Sequence, residues 1–178
     1  MFKTIFTLIA LLMILFGLII MTRKKFMMRS EKIKVIVALM PLLAPSINFI
    51  EDVYIGIILV VIIPMMAIAI MVGRNKYFIV NINNEMISSL LMDILKEKNI
   101  SYEERKKKLI LTDYDNRTIS YTQSLNTVEL NLKEVKHLYF YKELKEELKY
   151  RIENINTSIF PSFGVFMIGL GLLFLVII

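Results

Sequence analysis

The side chains able to do chemistry are few and scattered. The single histidine, His137, is followed by Tyr139 and Tyr141, a grouping that could move a proton or hold a metal. Proton transfer needs a hydrogen-bonding partner, and a metal needs several ligands at suitable spacing. No neighbour of His137 supplies them, so the start of an amphipathic helix with interfacial aromatics accounts for these residues better. Asp113 and Asp115 suggest a divalent cation. A calcium loop would need a third oxygen ligand, a glycine and a closing glutamate. Arg117 stands at the third position and no glycine follows, so this is read as turn chemistry. Arg105-Lys106-Lys107-Lys108 could bind phosphate, anionic lipid or nucleic acid. Glu103 and Glu104 adjoin it, and a solvated hairpin tip is the simpler reading.

Ser88, Ser89, Ser120, Ser124 and Ser162 are available as nucleophiles. They lie in no Gly-x-Ser-x-Gly elbow, and the chain has neither a phosphate loop nor a dinucleotide-binding glycine pattern. Residues 74–156 contain no glycine at all. Without glycine the backbone lacks its usual means of approaching a phosphate. The absence of cysteine excludes disulfides, a thiolate nucleophile and Cys-ligated metal. No catalytic residue, cofactor or metal is therefore expected, and the chain reads as a non-enzyme.

The elements around these residues divide sharply by composition. Of 178 residues, 56% are hydrophobic, above the roughly 45–50% of an ordinary soluble domain. The excess lies in four runs, near residues 5–21, 35–50, 53–73 and 159–178. Each is long enough to suggest a transmembrane helix. The first is favoured over a signal peptide because it is long and has no small-residue cleavage site. The second holds Pro41, Pro45, Ser46 and Asn48 and reads as kinked or re-entrant. Only Glu51 and Asp52 separate it from the third, so the two form a helical hairpin. Gly164 and Gly171 share a face of the fourth and offer a close helix–helix approach. That face could also serve an oligomer.

The charge is also partitioned. Residues 74–156 carry 15 Lys/Arg and 13 Asp/Glu, a net of +2. Most of the remaining excess is Arg23, Lys24, Lys25, Arg29, Lys32 and Lys34, between the first two runs. This cluster reads as a topology signal and as a contact for anionic lipid headgroups, not as a nucleic-acid surface. The positive-inside tendency then puts both termini outside and residues 74–156 in the cytoplasm of a multi-pass cell-membrane protein. The Ile/Lys/Asn-rich composition points to a bacterial source, which sets aside the acceptor-like triplets at Asn99, Asn116 and Asn156.

Within 74–156, the periodicity predicts strand 77–82, helix 85–98, strands 101–105, 108–112, 117–122 and 127–132, and a last helix over about 133–155. The order β-α-β-β-β-β-α implies a small α+β domain with a mostly antiparallel sheet and helices on one face. The expected fold is four transmembrane helices with this domain inserted between the third and fourth, giving regions 1–73, 74–156 and 157–178. The expected partners are the bilayer and another protein. The expected role is that of an accessory, regulatory or scaffolding subunit. The alternative is a small channel or transporter component, or an immunity-type protein, resting on Pro41, Pro45 and Pro64.

Overall fold

The computed structural model describes residues 2–32, 34, 60, 63–64, 66–68, 70–156 and 159–177. Its elements are α1 (Phe2–Met21), β1 (Phe26–Arg29), β2 (Lys76–Val80), α2 (Asn84–Glu97), β3 (Tyr102–Arg105), β4 (Lys108–Leu111), β5 (Arg117–Ser124), β6 (Thr127–Asn131), α3 (Tyr141–Asn154) and α4 (Ser162–Ile177).

The strands form one six-stranded sheet in the order β1-β2-β6-β5-β4-β3, with every pairing antiparallel. The alternation of side chains across a strand decides which face is buried. Tyr77 and Ile79 of β2 stand opposite Leu130 and Val128 of β6, and Tyr121 of β5 stands opposite Leu130. Leu109 of β4 follows, opposite Ile119. All of these are buried in one core with Ile87, Leu91, Ile94 and Leu95 of α2 and Leu144, Leu148 and Ile152 of α3. The two helices share this face of the sheet, as the sequence order implies.

α2 shows why its boundaries are sharp. Asn83 caps it by accepting from Met86 N–H at 2.9 Å, and Glu85 sits in the first turn. At the other end Asn99 adopts φ 52°. Ile100 N–H then reaches back to the Leu95 carbonyl and Asn99 N–H to the Lys96 carbonyl, the double closure that usually needs a glycine. Asparagine does glycine's work again at Asn75, Asn81 and Asn116, whose φ values are also positive. No described glycine has positive φ. Four of the five described glycines, Gly17, Gly73, Gly164 and Gly171, lie in close packing instead.

That packing joins α1 to α4. A Cβ on Gly17 would lie 2.8 Å from the Gly164 carbonyl oxygen, and one on Gly171 would lie 2.8 Å from the Ala10 carbonyl oxygen. The two helices therefore run antiparallel with their backbones nearly touching. The close approach expected at Gly164 and Gly171 is present, and α1 fills it.

Three expectations are corrected. Among the described residues, no helix is long and apolar enough to cross a membrane. In α1, Lys3, Thr4 and Thr7 occupy the first two turns; the purely apolar stretch, Leu8–Met21, spans about 21 Å. α4, Ser162–Ile177, spans about 24 Å. Both fall short of a hydrocarbon core of about 30 Å. The four-transmembrane-helix architecture is thus not supported. Nor are the multi-pass cell-membrane location, the outside termini and the cytoplasmic placement of 74–156 that rest on it. The run 35–50, with Pro41, Pro45 and Asn48, lies outside the described residues, as do Glu51, Asp52 and most of the run 53–73. Second, the basic segment contains a strand: β1 pairs with β2 along Phe26–Arg29. Its four residues are too few for periodicity to reveal. Third, the last helix begins at Tyr141, not near Lys133. Residues 133–140 form turns that bury Val135 and Phe140.

Candidate functional site

The six basic residues expected to contact anionic lipid do not form one free patch. Lys25 donates to the Ile155 carbonyl at 2.8 Å, and its burial holds the ammonium below its ordinary pKa. Arg29 pairs with Glu31 at 3.2 Å. Lys34 pairs with Glu129 at 3.4 Å, and Lys76 reaches the same carboxylate at 3.1 Å. Ser30 also donates to it at 3.3 Å. Partial burial pushes the Glu129 carboxyl up, but Lys76 and Lys34 outweigh that and hold it below its ordinary range. Arg23, Lys24 and Lys32 remain exposed. Two of the six, Lys25 and Lys34, therefore tie the β1 region to the rest of the fold.

The sequence-level candidates for chemistry are dispersed. His137 is exposed. Asp113 accepts from Ser101 N–H at 2.7 Å, so it closes the loop between α2 and β3 onto the turn after β4. Among the described residues no group of His, Asp and Glu could hold a metal ion. Ser88 is buried on α2, accepts from the Tyr121 hydroxyl at 3.0 Å and donates to Glu104 at 2.9 Å. This relay stitches α2 to β5 and β3. Tyr77 and Tyr141 share a hydrogen bond of 2.9 Å. Burial and that bond push the Tyr77 phenol well above its ordinary range.

The most constrained polar site was not visible in the sequence. Asn81, after β2, and Asn126, in the β5–β6 turn, are both almost fully buried. The Asn81 amide donates to the Ile20 and Lys24 carbonyls, each at 2.9 Å. The Asn126 amide donates to Asn81 Oδ1 and accepts from Phe163 N–H at 2.7 Å. Two side chains therefore join the end of α1, whose Ile20 carbonyl also accepts from Arg23 N–H at 3.0 Å, to the first turn of α4, where the Phe163 N–H has no partner within the helix. Phe163 also packs edge-on against Phe78 of β2, with centroids 6.1 Å apart. The β5–β6 turn that carries Asn126 is itself strained, because Leu125 sits at φ 54° and is half exposed.

Beyond this junction, α1 and α4 present an apolar exterior. Leu11, Leu12, Leu15 and Leu18 of α1 are each more than half exposed, as are Phe166, Leu172 and Leu173 of α4. Apolar side chains exposed in such number along two packed helices are uncommon on a lone soluble domain. The chain thus offers a mixed-charge α+β domain, a buried polar joint and an unsheathed apolar helix pair. Comparison with known proteins adds no relative: no family model, no curated protein and no solved structure matches the chain.

Proposed function

We propose that this chain is a non-enzymatic accessory subunit that binds a protein partner, with the α1–α4 pair inserted against apolar helices of that partner. The observation that supports the reading is the exposed leucine row of α1, continued on α4. The glycine face of the pair is consumed within the chain, so the exposed side chains are the ones left for a second molecule. The α+β domain is hydrogen-bonded to the base of the pair and would be held at the partner's rim.

The test is cross-linking and co-purification of the full chain from its native source, compared with Leu11→Gln combined with Leu15→Gln. Both positions lie away from the Gly17 and Gly171 contacts, so the helix pair should survive. Burying a leucine is worth about 1.5–3 kcal/mol, so the double variant should lose about a hundredfold or more in association. Full retention of the partner by the variant would refute the reading. So would recovery of the chain in pure lipid vesicles with no protein attached.

A further inference from the structure

A continuous set of hydrogen bonds leads from the base of the helix pair to the first turn of α2. It begins where Phe163 N–H of α4 meets Asn126 Oδ1, and where the Ile20 carbonyl of α1 meets the Asn81 amide. The two asparagines are bonded to each other, and the Asn126 carbonyl accepts from Ile82 N–H at 3.1 Å. One residue earlier, the Leu125 carbonyl accepts from Gln123 Nε2 at 2.8 Å. The other end of the same amide, Gln123 Oε1, accepts from Asn84 N–H at 2.9 Å. Asn84 opens α2, beside the cap that Asn83 places on Met86 N–H.

Two physical features make this more than a list of contacts. Leu125 and Asn81 both hold left-handed backbone, at φ 54° and 59°. For leucine that conformation is disfavoured and persists only when its surroundings enforce it. The two-residue β5–β6 hairpin imposes it, and the bonds of Gln123 and Asn126 hold the turn from either side. The asparagines are also nearly waterless, so a bond broken there is not replaced by solvent and the neighbouring bonds must rearrange. The turn is therefore tied on one side to the α1–α4 pair and on the other to the first turn of α2.

We propose that the Asn81–Asn126–Leu125–Gln123 relay is a conformational device that couples the separation of α1 and α4 to the order of the α2 N-terminus. Spreading the pair withdraws Phe163 N–H from Asn126, the Leu125 turn relaxes, and Gln123 lets go of Asn84. The coupling is a property of this chain alone and does not require the partner proposed above. Any ligand that binds the pair in only one of its spacings would be read at α2, because a ligand shifts an equilibrium by its preference for one state.

Amide hydrogen exchange on the full chain tests it. Gly17→Ala is the wedge, since its added carbon meets the Gly164 carbonyl oxygen at 2.8 Å. If that variant does not fold, Gly164→Ala supplies a second wedge, meeting the Gly17 carbonyl oxygen at 2.9 Å. The wedge should speed exchange at Asn84 and Met86 about tenfold, leaving core amides of β6 and α3 unchanged. In a Gln123→Ala background the same wedge should change Asn84 and Met86 less than twofold. Equal acceleration in both backgrounds overturns the proposal. So does acceleration confined to α1 and α4, or acceleration spread uniformly over the chain.

Discussion

Two glycines of α4 give a test in which the sign of the effect changes between nearby positions of one helix. A Cβ on Gly171 would lie 2.6 Å from Ile14 Cγ1 and 2.8 Å from the Ala10 carbonyl oxygen. The isoleucine can turn aside, but the carbonyl belongs to the backbone of α1 and cannot. Reaching ordinary contact near 3.4 Å then requires the helices to part by about half an ångström or more. Forcing a well-packed contact apart in this way costs about 1–3 kcal/mol. Two residues away, a Cβ on Gly169 would meet nothing within 4 Å. Replacing glycine by alanine in a helix interior gains about 0.5–1 kcal/mol. That gain is common to both positions and cancels in their difference. Gly169→Ala should therefore raise stability by about 0.5–1 kcal/mol. Gly171→Ala should fall below it by about 1–3 kcal/mol. Urea denaturation followed by far-ultraviolet circular dichroism reads both. If the two variants shift the midpoint equally, the backbone contact between α1 and α4 is not as described.

Other perturbations bear on the joint and the core. Asn81→Ala removes two donated bonds and one accepted bond and should cost about 3 kcal/mol or more in the same denaturation assay. Leu125→Asn replaces a leucine held at φ 54° with a residue that tolerates this conformation, and should raise stability by about 1 kcal/mol. Leu91→Ala, fully buried between α2 and the sheet, should cost about 2–5 kcal/mol. Glu129 titrates below its ordinary value of 4.5 in the folded chain. Its contribution is therefore complete above that value and is lost as pH falls through the depressed one. Glu129→Gln should flatten the acid limb of the stability–pH curve, and an unchanged limb would show that Lys34 and Lys76 do not hold this carboxylate.

The α+β order of residues 76–154 is legible in the sequence because its helices and longer strands show their period, and the short strands β3 and β4 are set off by the turns around them. Ile87, Leu91, Ile94 and Leu95 repeat at helical spacing, and Val128 and Leu130 alternate. Asn99 marks the end of α2 because asparagine is one of the few residues that enter left-handed backbone readily. β1 is illegible because Phe-Met-Met-Arg neither alternates nor is set off by turn residues, and it lies within a run of basic residues that reads as a membrane flank. The apolar pattern places the start of the last helix eight residues before Tyr141, because Val135 and Phe140 are apolar and buried in turns that continue the helical stripe. Apolar length alone misled most. A run of hydrophobic residues reports that a surface must be covered, whereas α1 and α4 cover part of theirs with each other. The asparagine joint left no trace, since Asn81 and Asn126 are 45 residues apart and each looks like ordinary turn chemistry.

The pairing of Gly17 with Gly164 also sets a schedule. Chains emerge from the ribosome at about 5–20 residues per second, and nearly the whole of this chain separates the two positions. α1 is therefore made on the order of ten seconds before its mate exists. Over that interval its glycine seam is open alongside its leucine row, and the strand that follows it has no β2 to join. Of the two helices, α1 therefore carries the longer exposure of both its seam and its leucine row.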